Sequence, residues 1–245
     1  MTEASRKQPP PWAGRFSRPI VRRRFVIGDI HGCCQTLRAM VEDVIQPGPD
    51  DIIYLLGDYI DRGPDSKGVL EYLIKLFMGD YDLRPLRGNH EQLLLDAIDA
   101  PEAFTIWKGN GGYGTLQEFG VSHPRELPRR YLDFLTSMPL MHLLDDYVLV
   151  HAGLNFRKDD PIAETSPHDL LWARDYRVDP AKLGGRTLVT GHSRTPLFAI
   201  RNSLQGCHVN LDNGCFSKGE LGEGALAALN LDSRELMVVE NCEPA

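Results

Sequence analysis

The hydrophobic residues in the first hundred positions form two kinds of segment. Short apolar runs at 24–28 and 52–57 each end in glycine, which is typical of buried strands, and 83–88, which also ends in glycine, is a weaker third strand. Between them, apolar residues recur at helical spacing over 34–45 and again after Ser66, which is the candidate N-cap of the second helix. This order of strand, helix, strand, helix and strand predicts crossover units whose strands are parallel.

The rest of the chain has a weaker pattern. Residues 92–138 are predicted to form helices interrupted by a cluster of glycines, and residues 140–150 are predicted to form a hairpin. Residues 154–186 lack periodicity and are predicted to be long loops, whereas 187–190 is another short strand. A closing hairpin is expected over 225–239, where a turn separates two apolar runs.

Length and composition fit a single globular domain. The chain has 245 residues, of which 42% are apolar and 25% charged, and these values exclude a disordered or fibrous protein. No internal repeat or linker divides it, so we expect one catalytic domain over residues 24–245 after a basic, proline-rich, flexible leader at 1–23. No apolar run approaches the roughly 18 residues of a membrane span. Five cysteines without a CxxC pair favour reduced thiols and a cytoplasmic location.

Acidic and basic residues are unevenly distributed along the chain. Residues 1–24 contain seven Lys or Arg and one acidic residue, whereas the rest of the chain contains 20 basic and 33 acidic residues. An acidic body lacks the broad positive surface that would follow a phosphate backbone. We therefore expect no nucleic-acid partner.

Polar side chains follow five of the apolar runs, at the point where each strand is expected to end. In chain order they are Asp29, His31, Asp58, Asp61, Arg62, Asn89, His90, His151 and His192. Because crossover connections bring the ends of parallel strands to one edge of a sheet, we expect these side chains to lie close together. Nitrogen and oxygen ligands without cysteine favour Mn, Fe, Zn or Co over calcium or a structural zinc.

The motifs GDIHG, GDYIDRG, RGNHE, HAG and GH occur in this order, and with them the chain resembles the phosphoprotein phosphatase family of binuclear metallophosphoesterases. The resemblance covers roughly residues 24–215. The segment that contains Trp107, Asn110 to Gly112 and Thr115 is similar to the bacterial and phage lambda-type serine/threonine phosphatases. The resemblance implies an α/β fold, namely a β-sandwich of two mixed sheets flanked by helices, with the metal ions at the strand ends.

The resemblance also implies the ligands of two divalent ions, for which Mn²⁺ is favoured and Fe or Zn are alternatives. Asp29 and His31 match the ligands of the first ion, and Asp58 matches the carboxylate that bridges both ions. The ligands of the second ion are Asn89, His151 and His192.

Further residues match the family's substrate-binding and catalytic groups. Arg62, Asn89 and Arg174 match residues that bind the phosphate. His90 matches the catalytic histidine, which would act as general acid, and Asp61 matches its carboxylate partner. In this family the phosphate ester is attacked directly by a hydroxide that bridges the two metal ions.

Three functions are compatible with these motifs. The first is hydrolysis of phosphoserine and phosphothreonine in proteins, extending to phosphotyrosine and small phosphate esters. The second is hydrolysis of diadenosine tetraphosphate by a symmetrical tetraphosphatase, but those enzymes typically read GDLVARG and GNHD, so Asp61 and Glu91 favour the phosphatase. The third is an inactive binding module, which would require a lost ligand, and the chain contains every ligand of the motif set.

Overall fold

Two β-sheets packed face to face form the centre of the protein. The computed structural model describes residues 22–79 and 81–244, so the expected leader at 1–23 lies outside the described residues except for its last two positions. These two arginines are paired within the folded domain: Arg22 with Asp82, and Arg23 with Asp51.

The elements have the following bounds. The strands are β1 (Arg24–Ile27), β2 (Ile52–Leu55), β3 (Asp82–Pro85), β4 (Met141–Leu143), β5 (Tyr147–Val150), β6 (Thr187–Thr190), β7 (His208–Asn210), β8 (Ala225–Asn230) and β9 (Leu236–Glu240). The helices are α1 (Cys34–Arg38), α2 (Ser66–Phe77), α3 (Asn89–Asp96), α4 (Pro101–Trp107), α5 (Tyr113–Phe119), α6 (Arg129–Ser137), α7 (Pro161–Glu164), α8 (Pro167–Trp172) and α9 (Leu197–Ser203). Wider π-type turns follow α1 (Ala39–Ile45) and α4 (Lys108–Gly112), and 3₁₀ turns occur at Pro124–Glu126 and Pro180–Leu183.

Both sheets contain parallel and antiparallel strands. The first has the order β3-β2-β1-β8-β9, and β1, β2 and β3 are parallel, which confirms the predicted crossover units. The strands β8 and β9 are antiparallel to their neighbours and form the expected closing hairpin. The second sheet has the order β4-β5-β6-β7, in which only β4 is antiparallel. The prediction of two mixed sheets flanked by helices is therefore confirmed.

Alternating side chains of the strands pack into different apolar cores. In β1, Phe25 and Ile27 pack among the helices α1 and α2, whereas Val26 faces the second sheet. In β5, Leu149 packs between the sheets and Val148 lies in a third core on the outer side of the second sheet. Because successive residues of a strand point to opposite faces, strands whose residues are all buried, namely β2, β5 and β6, are covered on both faces, which explains their continuous apolar runs in the sequence.

Two local predictions are wrong. The N-cap of α2 is Asp65 and not Ser66: the Asp65 carboxylate accepts the backbone N–H of Gly68 at 2.8 Å. Ser66 is the first residue of the helix, and its hydroxyl accepts the backbone N–H of Asp61 at 3.0 Å. The loop predicted over 154–186 contains the short helices α7 and α8, each of which begins with proline.

Among the described residues, no helix has both the length and the apolar character needed to cross a bilayer.

Candidate metal centre

The ends of strands from both sheets meet at one site, and all six predicted ligands lie there. Each of the six is buried, with at most 6% of its surface exposed; they are Asp29, His31, Asp58, Asn89, His151 and His192. Asp29 and His31 follow β1, and Asp58 follows β2. Asn89 begins α3 directly after the third strand, and His151 and His192 follow β5 and β6 of the second sheet.

Asp58 lies between two imidazoles. Its Oδ2 is 3.4 Å from Nε2 of His31, and its Oδ1 is 3.4 Å from Nε2 of His151. One carboxylate oxygen therefore faces each histidine, and the two oxygens are available to two different ions. This arrangement is compatible with a carboxylate that bridges two ions.

Backbone carbonyl groups orient these two imidazoles. Nδ1 of His31 lies 3.0 Å from the carbonyl oxygen of Ile60, and Nδ1 of His151 lies 2.8 Å from that of Leu56. An Nδ1–H donated to a carbonyl fixes the neutral tautomer, so that the lone pair of Nε2 points into the site.

Of the remaining ligands, Asp29 and His192 each have one buried polar atom without a hydrogen-bond partner among the described residues, whereas Asn89 contacts two histidines. Oδ1 of Asn89 is 2.8 Å from both Nε2 of His151 and Nδ1 of His192. Asp29 accepts the backbone N–H of His192 through Oδ2, but its Oδ1 is buried without a hydrogen-bond partner among residues 22–79 and 81–244. Nε2 of His192 is likewise buried and has no hydrogen-bond partner among the described residues. Buried orphan acceptors next to carboxylates fit divalent cations.

The charges of the site also suit cations. Burial lowers the pKa of His31 and of His192 to about 3, and it lowers the pKa of His151 as well. The imidazoles are therefore neutral at neutral pH, which is the form that binds a metal ion. Burial alone would raise the pKa of Asp58, but the neighbouring imidazoles hold it well below its usual range. Asp58 is thus ionised at neutral pH.

Two buried acids outside the ligand set, Asp212 and Glu91, lie next to the site. Burial, together with the carboxylates of Asp212 and Asp58, raises the pKa of Asp29, and a bound cation would reverse this effect. Glu91 accepts the backbone N–H groups of Asp58 and Tyr59 at 2.8 Å and that of Gly88 at 2.9 Å, so it ties the end of β2 to the start of α3. This role of Glu91 was not predicted. The available signal was a glutamate three residues after the N-cap Gly88, the position from which its side chain reaches back to the N-cap N–H.

His90 forms a buried pair with Asp61. Nδ1 of His90 is 2.8 Å from Oδ2 of Asp61, and its Nε2 has no partner within the part of the chain that the structure describes. Burial alone would lower the pKa of His90, but the carboxylates of Asp58 and Asp61 raise it above its usual value. Ligand atoms of His31, Asp58 and His90 also lie within 4.8 Å of one another, so the geometry allows His90 to act as an acid or as a ligand.

The backbone of the site is strained. Five site residues adopt positive φ angles between 49° and 70°, the left-handed region that favours glycine; they are His31, Asp58, Asp61, Arg62 and His192. Each such residue costs on the order of 1–3 kcal/mol, and these conformations persist only where surrounding contacts enforce them. Their concentration at these strand ends is typical of a functional site.

Arginines line a cleft of about 500 Å³ that opens next to His192. Nη1 of Arg62 is 2.9 Å from Nε2 of His31, and its guanidinium lies over the ring of Phe216. Arg174 is exposed, and its Nη1 is 3.1 Å from the hydroxyl of Ser193. Both predicted phosphate-binding arginines therefore reach the cleft, and Arg194, which was not predicted, lines it as well.

Comparison with known proteins identifies the class. The pattern of the calcineurin-like phosphoesterase family matches residues 23–216, and the chain belongs to this family. It is therefore a hydrolase of the metallophosphoesterase type, whose members use a binuclear centre of divalent metal ions. The class predicted from the five motifs is confirmed.

Its relatives include enzymes of two kinds. Serine/threonine-protein phosphatase 1 of Salmonella typhimurium (strain LT2) is 30% identical over 169 residues, which are 67% of this chain and 73% of that protein. A symmetrical bis(5'-nucleosyl)-tetraphosphatase of Hamiltonella defensa is 31% identical over 206 residues, which are 80% of this chain and 69% of that protein. The structure of a serine/threonine phosphatase from Saccharomyces cerevisiae has a TM-score of 0.60 at 17% identity, covering 91% of this chain and 81% of that one, and indicates a shared fold. Since both kinds of relative reach similar identity, the substrate has to be argued from the site.

Proposed function

We propose that this protein is a phosphoprotein phosphatase that hydrolyses phosphoserine and phosphothreonine in proteins and also accepts phosphotyrosine. The observation that supports this most is the buried pair of His90 and Asp61. A serine alkoxide is a poor leaving group and needs a proton, and a histidine oriented by a carboxylate can donate it. We further propose that residues 24–245 form one catalytic domain.

The proposed metal ligands divide into two sets around Asp58. Asp29 and His31 would hold one ion, Asp58 would contact both ions, and the other ion would be held by Asn89, His151 and His192. Two divalent ions in such a site supply an activated water and neutralise the charge of the transition state. We propose that the ions are Mn²⁺, because carboxylate and amide oxygens such as those of Asp29, Asp58 and Asn89 suit this ion; Fe and Zn, which imidazoles suit, are the alternatives.

The protein's own residues would bind the substrate and move the proton. Arg62 and Arg174 offer guanidinium groups that match two phosphate oxygens at once, and Asn89 would add its amide. With the phosphate held in this way, the ester oxygen would face Nε2 of His90, which donates its proton as the bond breaks. Asp61 keeps Nδ1–H of His90 in place and stabilises the protonated ring.

Removal of metal should abolish the activity. Chelator-treated protein is expected to lose hydrolysis of a phosphoserine peptide and to regain it best with Mn²⁺, and less well with Zn²⁺ or Fe²⁺. The measurement is the steady-state rate after each addition, with metal content determined by elemental analysis. Full activity in a preparation shown to be free of metal would contradict the proposal.

Substitution of Asp61 by asparagine tests the general acid. It should lower kcat on a phosphoserine peptide by about 10²-fold or more, and kcat on p-nitrophenyl phosphate much less, because nitrophenolate leaves without a proton. KM should change little on either substrate, whereas Arg62→Ala should raise it on both. Asp99→Asn, at an exposed position, is the matched control. With chemistry rate-limiting for both substrates, equal losses in the Asp61 variant would exclude the general-acid role.

The second candidate is a symmetrical tetraphosphatase, which the relative from Hamiltonella defensa and the three arginines of the cleft favour. An arginine-lined cleft can bind a chain of phosphates as well as a single one. Values of kcat/KM for a phosphoserine peptide and for diadenosine tetraphosphate, measured on the same preparation, decide between the two. A strong preference for diadenosine tetraphosphate would favour this second candidate.

A further inference from the structure

The carboxylate of Asp61 receives three side-chain hydrogen bonds, of which only one comes from His90. The indole Nε1–H of Trp107 donates to Oδ2 at 2.9 Å, and the hydroxyl of Thr115 donates to Oδ1 at 2.6 Å. Trp107 and Thr115 are both fully buried. The metallophosphoesterase chemistry proposed above leaves these two residues without a role.

The segment that carries them is shaped to reach Asp61. Trp107 ends α4 and Thr115 lies in α5, and the π-type turn between the two helices contains Gly111 and Gly112. Gly111 has a φ of +114°, and a side chain there would meet Cβ of Asp61 at 2.9 Å. A side chain at Gly112 would meet the indole of Trp107 at 2.4 Å. Both glycines therefore allow a close approach that another residue would block.

Thr115 also contacts the residue that fixes the backbone of Asp61. The hydroxyl of Ser66 accepts the backbone N–H of Asp61 at 3.0 Å and lies 3.2 Å from the hydroxyl of Thr115. Asp61 is held in the left-handed region with a φ of +70°. Its backbone and its carboxylate are thus restrained by the same small group of buried hydroxyls.

We propose that Trp107 and Thr115 are positioning residues for His90, and this inference rests on the proposed general-acid role of His90. Because Thr115 donates to Oδ1 and Trp107 donates to Oδ2, rotation of the Asp61 carboxylate about its Cβ–Cγ bond would break both of these hydrogen bonds. The carboxylate is therefore fixed in the orientation in which Oδ2 accepts Nδ1–H of His90. A general acid whose orienting carboxylate can rotate spends less time in the reactive geometry.

Thr115→Val removes the donor to Oδ1 and nearly preserves the shape of the side chain. We expect it to lower kcat on a phosphoserine peptide by about 10-fold, which is the lower end of the loss typical of residues that orient a reactive group. KM, and kcat on p-nitrophenyl phosphate, should change much less. Trp107→Phe should have the same signature, and Thr115→Ser, which keeps the hydroxyl, should recover most of the loss. The matched control is Thr105→Val on the exposed side of α4.

The decisive comparison is made in an Asp61→Asn background. A positioning residue acts through Asp61, so Thr115→Val and Trp107→Phe should cause little further loss of kcat in that background. If the Asp61 variant behaves as proposed but the added losses are as large as in the wild type, Trp107 and Thr115 only support the core and this inference is wrong. If Asp61→Asn itself slows both substrates equally, the general-acid role fails, and the inference fails with it.

Discussion

At the residue scale, the site depends on the contacts that orient each ligand as much as on the ligands themselves. The carbonyl groups of Leu56 and Ile60 select the tautomers of His151 and His31. Glu91 holds three backbone N–H groups at the junction of β2 and α3. Such orienting groups commonly change metal affinity or activity by about 10–100-fold when they are replaced.

Asp58→Asn is expected to cause loss of metal and of activity together. The substitution replaces one of two oxygens, each facing a different imidazole, by an amide nitrogen that cannot coordinate a cation. The fold should survive, because a chain of this length holds its core without metal. Metal content, kcat and thermal unfolding are measured on the purified variant. Two tightly bound ions with near-normal turnover would show that Asp58 does not bridge.

His90→Asn separates the two roles that the geometry allows for His90. If His90 is a general acid, the variant should keep both ions and lose kcat chiefly on the phosphoserine peptide. If His90 is a ligand, the variant should lose metal as expected of Asp58→Asn. Elemental analysis of the two variants side by side therefore decides the role of His90.

At the scale of elements, continuous apolar runs were predictable and capping details were not. The strand at 187–190 matches its prediction because all four residues are buried on both faces. The short helices α7 and α8 were missed because four and six residues are too few to show a helical period. Asp65 and Ser66 are both good N-caps by residue type, and the non-helical backbone at Asp65, with φ −145° and ψ 59°, decides between them.

Asp65→Ala should destabilise the protein by about 1 kcal/mol, the usual contribution of an N-cap hydrogen bond. The carboxylate satisfies the N–H of Gly68 in the first turn of α2, and alanine cannot replace it. Urea unfolding followed by circular dichroism measures the change. Asp99→Ala, at an exposed position outside the helices, should leave the unfolding free energy unaltered. Equal stability of wild type and the Asp65 variant would mean that the cap is not needed.

At the scale of the whole molecule, the meeting of the proposed ligands at one site was predictable, whereas the contacts that support them were not. Each proposed ligand lies within three residues of the end of a predicted strand, but the strands belong to two sheets and not to one, so the ligands meet where the ends of both sheets come together. Trp107 and Thr115 lie 46 and 54 residues from Asp61, in a helical segment whose packing no local pattern specifies. The motifs therefore predict which groups would react, whereas the contacts that hold those groups in place depend on tertiary structure.

The stability of the whole domain should depend on pH through His208. Burial lowers the pKa of this residue to about 4, and its Nε2 lies 2.9 Å from the hydroxyl of Thr190. In the unfolded chain the pKa of histidine is about 6.5. The contribution of His208 to the free energy of unfolding is therefore complete above about pH 6.5 and is lost as the pH falls toward 4. The loss should reach about 3 kcal/mol.

Urea unfolding at several pH values, compared between wild type and His208→Gln, measures this contribution. The unfolding free energy of the variant should fall less steeply with decreasing pH. His168→Gln is the control, since the side chain of His168 is 80% exposed. Parallel curves for wild type and the His208 variant would show that His208 titrates normally in the folded protein.

The candidate ligands come from both sheets, and this has a consequence for how the protein assembles. Asp29, His31 and Asp58 follow strands of the first sheet and Asn89 begins α3, whereas His151 and His192 follow strands of the second sheet. A partly folded chain in which the sheets have not yet docked would keep these two histidines apart from the other four donors. High affinity for the ion proposed to bind Asn89, His151 and His192 would then arise late in folding, and any fluctuation that parts the sheets would release that ion before the rest of the chain unfolds.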